Sequence, residues 1–215
     1  MKNATDRERD KQFGIARLDE CDLDSDPVRQ FGVWYKNAQE AEHIHPNAFT
    51  LASTSESGQP AARMLLLKDF DDRGFVFYTN IESRKGEELK ANPKAAMCFW
   101  WDKLERQVRI EGSIEEVSSD EADEYFASRP LGSKLGAWAS PQSSVISGRE
   151  ELEQRYAELE SKFGQGKIPR PPYWTGFRLI PDSIEFWQGR PNRLHDRIRY
   201  RFITDGKWLM ERLAP

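Results

Sequence analysis

The sequence predicts a mainly β barrel with peripheral helices, in the α+β class. Short apolar runs rich in aromatic and β-branched residues recur at 49–55, 59–68, 75–79, 95–101, 107–112, 174–180, 183–188, 194–203 and 208–212, each of strand length. Ser57-Gly58 and the DFDDRG turn at 69–74 join neighbouring runs as hairpin turns do. Helical patterns occur, but not in the βαβ alternation that a doubly wound sheet requires. No internal repeat or low-complexity tract breaks the series.

Residues 1–25 are polar and charged with little periodicity, which predicts a mobile arm ahead of one domain at 26–215. Asp26-Pro27 reads as an N-cap and first helical residue, and Val28, Phe31, Tyr35 and Ala38 follow at helical spacing to about 42. His43 and His45 come next in a loop; an H-x-H pair without a third ligand reads as surface histidine. Met64 to Leu67 is an unbroken apolar run bounded by charge, which predicts a strand covered on both faces. Val108 and Ile110 alternate with Gln107, Arg109 and Glu111, so that strand has one polar face. Ser118-x-x-Glu121 opens a helix carrying Ala122, Tyr125 and Phe126, and Ser128-Arg129-Pro130 ends it before a Gly/Ser-containing segment, LGSKLGAWASPQSS. Ser147-x-x-Glu150 opens another, with Leu152, Tyr156, Leu159 and Phe163 as its apolar stripe. A Pro/Gly-rich linker at 164–172 precedes the last strands.

Composition narrows the function classes. With 32% charged residues and a net charge of −4, a general nucleic-acid partner is disfavoured. The apolar runs are too short to span a membrane, and the first 14 residues lack an apolar signal core. Cys21 and Cys98 have neither metal nor redox spacing. A reduced, cytoplasmic protein is the expectation. Seven Trp and twelve Phe suggest stacking surfaces as well as core.

The stretch 63–89 holds the strongest local clue. It opens with the cation Arg63, and Ser83 can cap a helix whose first turn carries Arg84 and Lys85, with the Thr79 hydroxyl nearby. Cations in a first turn oppose the helix dipole, so they point to an expected anion, and phosphate is the natural one. Side chains alternate along a strand, so Arg63 and Lys68, five apart, face opposite ways and would serve two different phosphates. A plain hairpin with solvated ends explains the same residues.

In the C-terminal RLHDRIRYR, an extended chain puts Arg193, His195, Arg197, Arg199 and Arg201 on one face and Leu194, Ile198 and Tyr200 on the other. So many cations repel one another unless an anion lies opposite, although a charged edge strand guarding against aggregation is the plainer alternative. Tyr125, Arg129 and Ser133 form a further phosphate-like set, and Gln142, Ser143 and Ser144 offer an amide and hydroxyls. No G-x-G-x-x-G, P-loop or G-x-S-x-G is present, and three histidines without H-E-x-x-H or clustered cysteines argue against zinc.

In order along the chain, RMLLLK, FYTN, SRKG, ERQVR, SRP, QSS, EFWQG, NRLHDR and ERLAP resemble the pyridoxine (pyridoxamine) 5′-phosphate oxidase family. The resemblance covers nearly everything from Asp26 onward. It implies an FMN-binding split β-barrel of Greek-key type, and a homodimer with FMN in clefts between subunits. It implies that Arg63, Met64, Leu65, Leu66, Leu67, Lys68, Tyr78, Thr79, Arg84 and Lys85 hold FMN, with Arg63, Arg84 and Lys85 on its phosphate. Gln107, Gln142, Ser143, Trp187 and Arg197 are the other flavin contacts so implied. Lys68, Tyr125, Arg129 and Ser133 become the clamp for the substrate's 5′-phosphate, and Arg193 and His195 the contacts at the reacting end. The amino terminus departs from the pattern: Asp10 and Phe13 stand where the family often has an arginine and a tyrosine, which implies different lid contacts.

The implied reaction passes a hydride equivalent from the 4′ carbon of pyridoxine or pyridoxamine 5′-phosphate to the flavin, and oxygen reoxidises the flavin to give hydrogen peroxide. In this reading Arg193 fixes the stacking of substrate on flavin and Arg197 stabilises charge on the reduced ring, so Arg193, His195 and Arg197 are the catalytic candidates. Three rivals remain: a related split-barrel flavin oxidase, as in phenazine biosynthesis; a non-catalytic store of flavin or pyridoxal phosphate; and an RNA-binding barrel using the RLHDRIRYR face. The phosphate clamp weighs against the first, and the net charge against the last.

Overall fold

The computed structural model describes residues 17–41, 43–164 and 166–215. Among them nine strands form one sheet: β1 (Ala48–Thr54), β2 (Pro60–Leu66), β3 (Asp69–Asp71), β4 (Gly74–Asn80), β5 (Lys94–Trp101), β6 (Arg106–Glu116), β7 (Trp174–Gln188), β8 (Asp196–Phe202) and β9 (Trp208–Arg212). The order is β2-β1-β5-β6-β7-β4-β3, with β8 on β7 and β9 on β8. Leu67 and Lys68 alone join β2 to β3, although these strands stand at opposite ends of that order. Two residues span roughly 7 Å, so the sheet must curl until its ends meet. Main-chain bonds seal the join: Leu67 N–H donates to the Asn47 carbonyl at 2.8 Å and Lys68 N–H to that of Val76 at 2.9 Å. The barrel that the sequence predicts is this curl.

Among the described residues five α-helices flank it: α1 (Pro27–Glu40), α2 (Arg84–Ala91), α3 (Ser119–Ser128), α4 (Leu131–Ala139) and α5 (Arg149–Phe163). Asp26 caps α1 as expected, accepting from the Val28 and Arg29 amides. Its Phe31 is fully buried, with rings of Tyr35, Phe70, Phe75, Phe99 and Trp101 around it. Alternate strand residues fill the barrel: Phe49 and Leu51, Met97 and Phe99, Val108 and Ile110, Ile184 and Phe186, Ile198 and Tyr200.

Several expectations need correction. Met64 to Leu67 is not covered on both faces: Met64 is 62% and Leu66 39% exposed, because β2 ends the strand order and only its inward residues meet the core. The turn at 69–74 is itself a hairpin, with β3 paired to β4. The runs at 174–180 and 183–188 are one strand; a register shift opposite Glu111/Gly112 leaves Asp182 as the extra residue beside Pro181, and a Cβ on Gly112 would overlap the Ile180 carbonyl. LGSKLGAWA is helical. Gly132 and Gly136 cost it about 1 kcal/mol each, but Leu135 is buried with Phe126, Ile168 and Trp174, and that packing wins. Ser147 pairs with Glu151, not Glu150: its amide and hydroxyl both donate to that carboxylate, at 2.9 and 2.8 Å.

β8 starts only at Asp196, so Arg193 and His195 do not share a strand face with Arg197, Arg199 and Arg201. The polar arm expected to 25 is fastened well before that residue. Leu18 is buried, and Arg212 donates to the Leu18 carbonyl at 2.8 Å and to both oxygens of Glu20. Asp10 and Phe13 lie outside the described residues, as does the arm up to 16.

Candidate functional site

One corner gathers the cations of β2 and α2. Ser83 caps α2 through the Gly86 amide, and the following turn points Lys85 inward and Arg84 outward. Arg63 donates to Glu88 at 2.8 Å, to Ser53 at 2.5 Å and to the Leu51 carbonyl at 3.3 Å. Arg84 donates to the other Glu88 oxygen at 2.8 Å. Lys85 is buried; its ammonium donates to the Gln142 amide oxygen at 2.6 Å and to Ser83 at 3.0 Å, while the Thr79 hydroxyl reaches the same amide oxygen at 3.3 Å. Burial, and then the Arg63 charge, push the Lys85 pKa down to about 8, against the pull of Glu88. Four expected ligands, Thr79, Lys85, Arg63 and Gln142, thus share a single polar corner.

Beside it lies a cavity of about 360 Å³ lined by Leu65, Tyr78, Thr79, Arg129, Ser133 and Gln142 among others. It adjoins a second, of about 490 Å³, to which Met64, Lys68, Tyr125 and Ser128 contribute with the shared Leu65, Tyr78, Arg129, Ser133 and Trp174. Lys68, Tyr125, Arg129 and Ser133 therefore converge on one cleft. Tyr78, Tyr125 and Trp174 stack as its floor, with planes within 13° and centroids 4.1 and 5.1 Å from Tyr78. Arg129 lies over Trp174, 4.8 Å from its centroid, and its Nη1 is buried with no hydrogen-bond partner. A buried guanidinium nitrogen without an acceptor carries a desolvation cost that a bound anion removes.

The remaining set lies elsewhere. Directly paired residues point to the same side of a sheet. One row runs Arg63, Leu51, Met97, Ile110, Ile184, Tyr200 and faces the core. The next runs Met64, Thr50, Cys98, Arg109, Glu185, Arg199 and faces out. Gln107 and Trp187 pair with each other on that outer face, and Trp187 pairs with Arg197. The arginines of β8 are answered within the sheet: Glu185 accepts from Arg197 at 2.8 and 3.1 Å, and Glu211 from Arg199 at 2.7 Å. These carboxylates are the anions that the sequence pattern called for. Glu185, chiefly through its hydrogen bond, also raises the Arg197 pKa, so it stays charged.

Arg193 sits on a tight turn in which Asn192 and Arg193 both have left-handed φ, 60° and 63°. His195 holds the turn: its Nδ1 accepts from the Arg190 amide at 3.1 Å, and its ring lies 4.5 Å from that of Trp187. Ser143 likewise has φ 75°, so its loop and the Asn192–Arg193 turn both carry strained backbone of the kind that binding sites retain.

Comparison with known proteins bears on all of this. Residues 36–163 match the family model described as pyridoxamine 5′-phosphate oxidase. Residues 174–215 match that of the pyridoxine 5′-phosphate oxidase C-terminal dimerisation region. The chain belongs to the pyridoxamine 5′-phosphate oxidase family. Relatives named pyridoxine/pyridoxamine 5′-phosphate oxidase include those of Gloeothece citriformis and Cupriavidus necator, both 55% identical over 95% of this chain and 96% of theirs. Among solved structures, PhzG from Burkholderia lata in complex with tetrahydrophenazine-1-carboxylic acid superposes with a TM-score of 0.89 at 30% identity, over 95% of this chain and all of that one. An FMN-binding protein of Nostoc punctiforme, 18% identical with a TM-score of 0.71 over 90% of this chain and all of its own, shares the fold. Membership makes the chain one of a family of oxidoreductases with a split barrel.

The dimerisation region spans β7 to β9, which carry Glu185, Trp187 and Arg197 on the outer face. Trp100, half exposed, and the bare side of β2 continue that face. No helix among the described residues is long and apolar enough to cross a membrane. Three residues of this corner and cleft escaped sequence reasoning. Trp174 completes the aromatic floor, and only the fold brings it to Tyr78. Ser53 is one of several strand hydroxyls. Glu88, four residues after Arg84, is an ordinary helix pair by spacing, yet it is buried and binds two arginines.

Proposed function

We propose that the chain oxidises pyridoxine 5′-phosphate and pyridoxamine 5′-phosphate to pyridoxal 5′-phosphate with FMN and oxygen, as a cytoplasmic homodimer. The observation that carries this is two separate cation sets: Arg63, Arg84 and Lys85 in the polar corner that Gln142 joins to the first cavity, and Lys68 and Arg129 on the adjoining cleft. Two phosphoesters, one on cofactor and one on substrate, fit two sets; a substrate without phosphate leaves Arg129 Nη1 unanswered. That favours this reading over a phenazine-type oxidation.

The residues fit FMN. Lys85 already holds an acceptor oxygen, and Arg63 and Arg84 keep further N–H donors for a phosphate. Met64, Leu65, Leu66, Leu67, Tyr78 and Thr79 would border the flavin from one subunit. Gln107, Trp187 and Arg197 lie on the opposite sheet face from Arg63, so they would reach the same flavin from a second copy. Gln142 and Ser143 would close the site over the phosphate side.

Bound FMN supplies the electron acceptor for the two electrons leaving the substrate's 4′ carbon and passes them to oxygen, giving hydrogen peroxide. The chain supplies placement. Lys68, Tyr125, Arg129 and Ser133 fix the 5′-phosphate, which orients the pyridine ring. His195 accepts at Nδ1, so its neutral ring carries the proton on Nε2 and donates from there to the 4′ oxygen or amine. Burial, and then the Arg193 charge, hold its pKa below the ordinary histidine value, which keeps it neutral at pH 7. A proton-accepting role would require breaking the Arg190 bond.

The decisive test is the absorption spectrum of the yellow protein, mixed anaerobically with pyridoxine 5′-phosphate and then exposed to air. The band should bleach and return with one hydrogen peroxide per cycle. Arg193→Ala and His195→Ala should keep the band and bleach more slowly. A yellow protein that never bleaches is a store, and a colourless one without FMN affinity removes the proposal.

Lys85 adds a pH dependence. It is charged below about 8 in the free protein, and a phosphate stabilises that form. FMN affinity should therefore be flat below pH 8 and fall up to roughly tenfold per unit above it. Fluorescence titration from pH 6.5 to 9.5 reads this directly, and Lys85→Arg should abolish the fall. A flat wild-type profile to pH 9.5 would rule Lys85 out as a phosphate ligand.

A further inference from the structure

Glu88 is a carboxylate in a place where one is unexpected: inside the corner that gathers Arg63, Arg84 and Lys85. It is 4% exposed. Burial raises its pKa, but hydrogen bonds from Ser53, Arg63 and Arg84 outweigh this and hold it below the ordinary value, so it is an anion. Left to bind phosphate alone, a site gains nothing from a fixed negative charge beside its arginines. The carboxylate therefore calls for another role.

Its geometry gives one. Oε2 accepts from Arg63 Nη2 at 2.8 Å and from the Ser53 hydroxyl at 2.5 Å. Arg63 Nη1 donates to the same Ser53 hydroxyl at 2.5 Å and to the Leu51 carbonyl at 3.3 Å. The end of the guanidinium is thus fully engaged, while its Nε–H and second Nη2–H, the side-on fork, remain for a ligand. Oε1 accepts from Arg84 Nε at 2.8 Å, which leaves both Arg84 terminal nitrogens to donate elsewhere. One carboxylate so fixes two guanidiniums with their unused edges available, and Arg63, unlike Arg84, is largely buried.

We propose that Glu88 is a positioning residue that sets the preference for a phosphorylated flavin over an unphosphorylated one, by holding Arg63 and Arg84 in register. The inference rests on the reading of this corner as the FMN phosphate site. Held arginines pay no rotamer entropy when phosphate arrives, and Glu88 offsets part of the mutual repulsion of three cations in the empty corner. Glu88→Gln keeps the shape but places an NH2 against either Arg84 or the Arg63–Ser53 pair, so one guanidinium swings free.

The test is titration of the full-length apoprotein with FMN and with riboflavin, which lacks the phosphate. Wild type should bind FMN at least 100-fold more tightly than riboflavin. Glu88→Gln should lose tenfold or more in FMN affinity and less than twofold in riboflavin affinity. Ser53→Ala, which removes only the hydroxyl brace, should lose about threefold for FMN alone and guards against a misfolded Glu88 variant. Glu88→Asp should recover part of the loss. Equal losses for both ligands, or tighter FMN binding in Glu88→Gln, would overturn the positioning role. A wild type that does not distinguish FMN from riboflavin would instead overturn the phosphate site itself.

Discussion

Replacing Arg129 by alanine is expected to lower kcat/KM for pyridoxine 5′-phosphate by about 100-fold while the protein stays yellow. The side chain ends α3, lies over Trp174 and keeps Nη1 buried without a partner. Hydrogen bonds from a charged donor are worth about 1.5–3 kcal/mol each, and a two-pronged contact to phosphate loses both at once. The loss should appear mainly in KM, because the phosphate is remote from the reacting carbon and is held in ground and transition states alike. Unphosphorylated pyridoxine, a poor substrate throughout, should be affected less than threefold. Arg129→Lys should recover only part, since a point charge cannot reproduce the fork. Steady-state kinetics with both substrates, normalised to bound flavin, decide the matter. An unchanged ratio between the two would remove Arg129 from the clamp.

The second large effect concerns the barrel. Phe31→Ala should destabilise the protein by about 3–5 kcal/mol, a fall in Tm of roughly 6–20 °C for a chain of this size. Phe31 is fully buried, with three edge-on rings, Phe70, Phe75 and Phe99, centred 5.0 to 5.1 Å away. No neighbouring element can move in to fill the space without breaking those contacts, so the cavity persists. Urea unfolding of wild type and variant measures the difference. A loss below about 1 kcal/mol would mean that α1 is a loosely held cover. Phe31→Leu should cost less than Phe31→Ala, because more of the space remains filled.

Local signals carried far in this chain. Asp26-Pro27, Ser83 and Ser118 each stand before a helix and cap it as their spacing implies. The alternation in 107–112 places Val108 and Ile110 in the core and Gln107 and Arg109 outside. Arg63, Lys85, Thr79 and Gln142 do meet, as do Lys68, Tyr125, Arg129 and Ser133. Where local reading failed, the deciding partner was distant in sequence. The run at 64–67 looked covered because apolarity does not reveal which strand ends a sheet. The segment 131–139 shows only its Gly and Ser content locally, whereas the partners of Leu135 that hold it as a helix lie at 126, 168 and 174.

The sequence by itself determined the element types, the caps and the inventory of cations and aromatics, because periodicity and capping act over a few residues. It also determined the family, since an ordered set of motifs spans nearly the whole chain. Only the tertiary structure decided that Glu185 and Glu211 answer the β8 arginines, that Glu88 braces Arg63 and Arg84, and that Arg63 and Gln107 lie on opposite sheet faces. Those are matters of register and closure. A one-residue shift in pairing moves a side chain to the other face of the sheet, and the pairing is set by contacts among strands far apart in the chain.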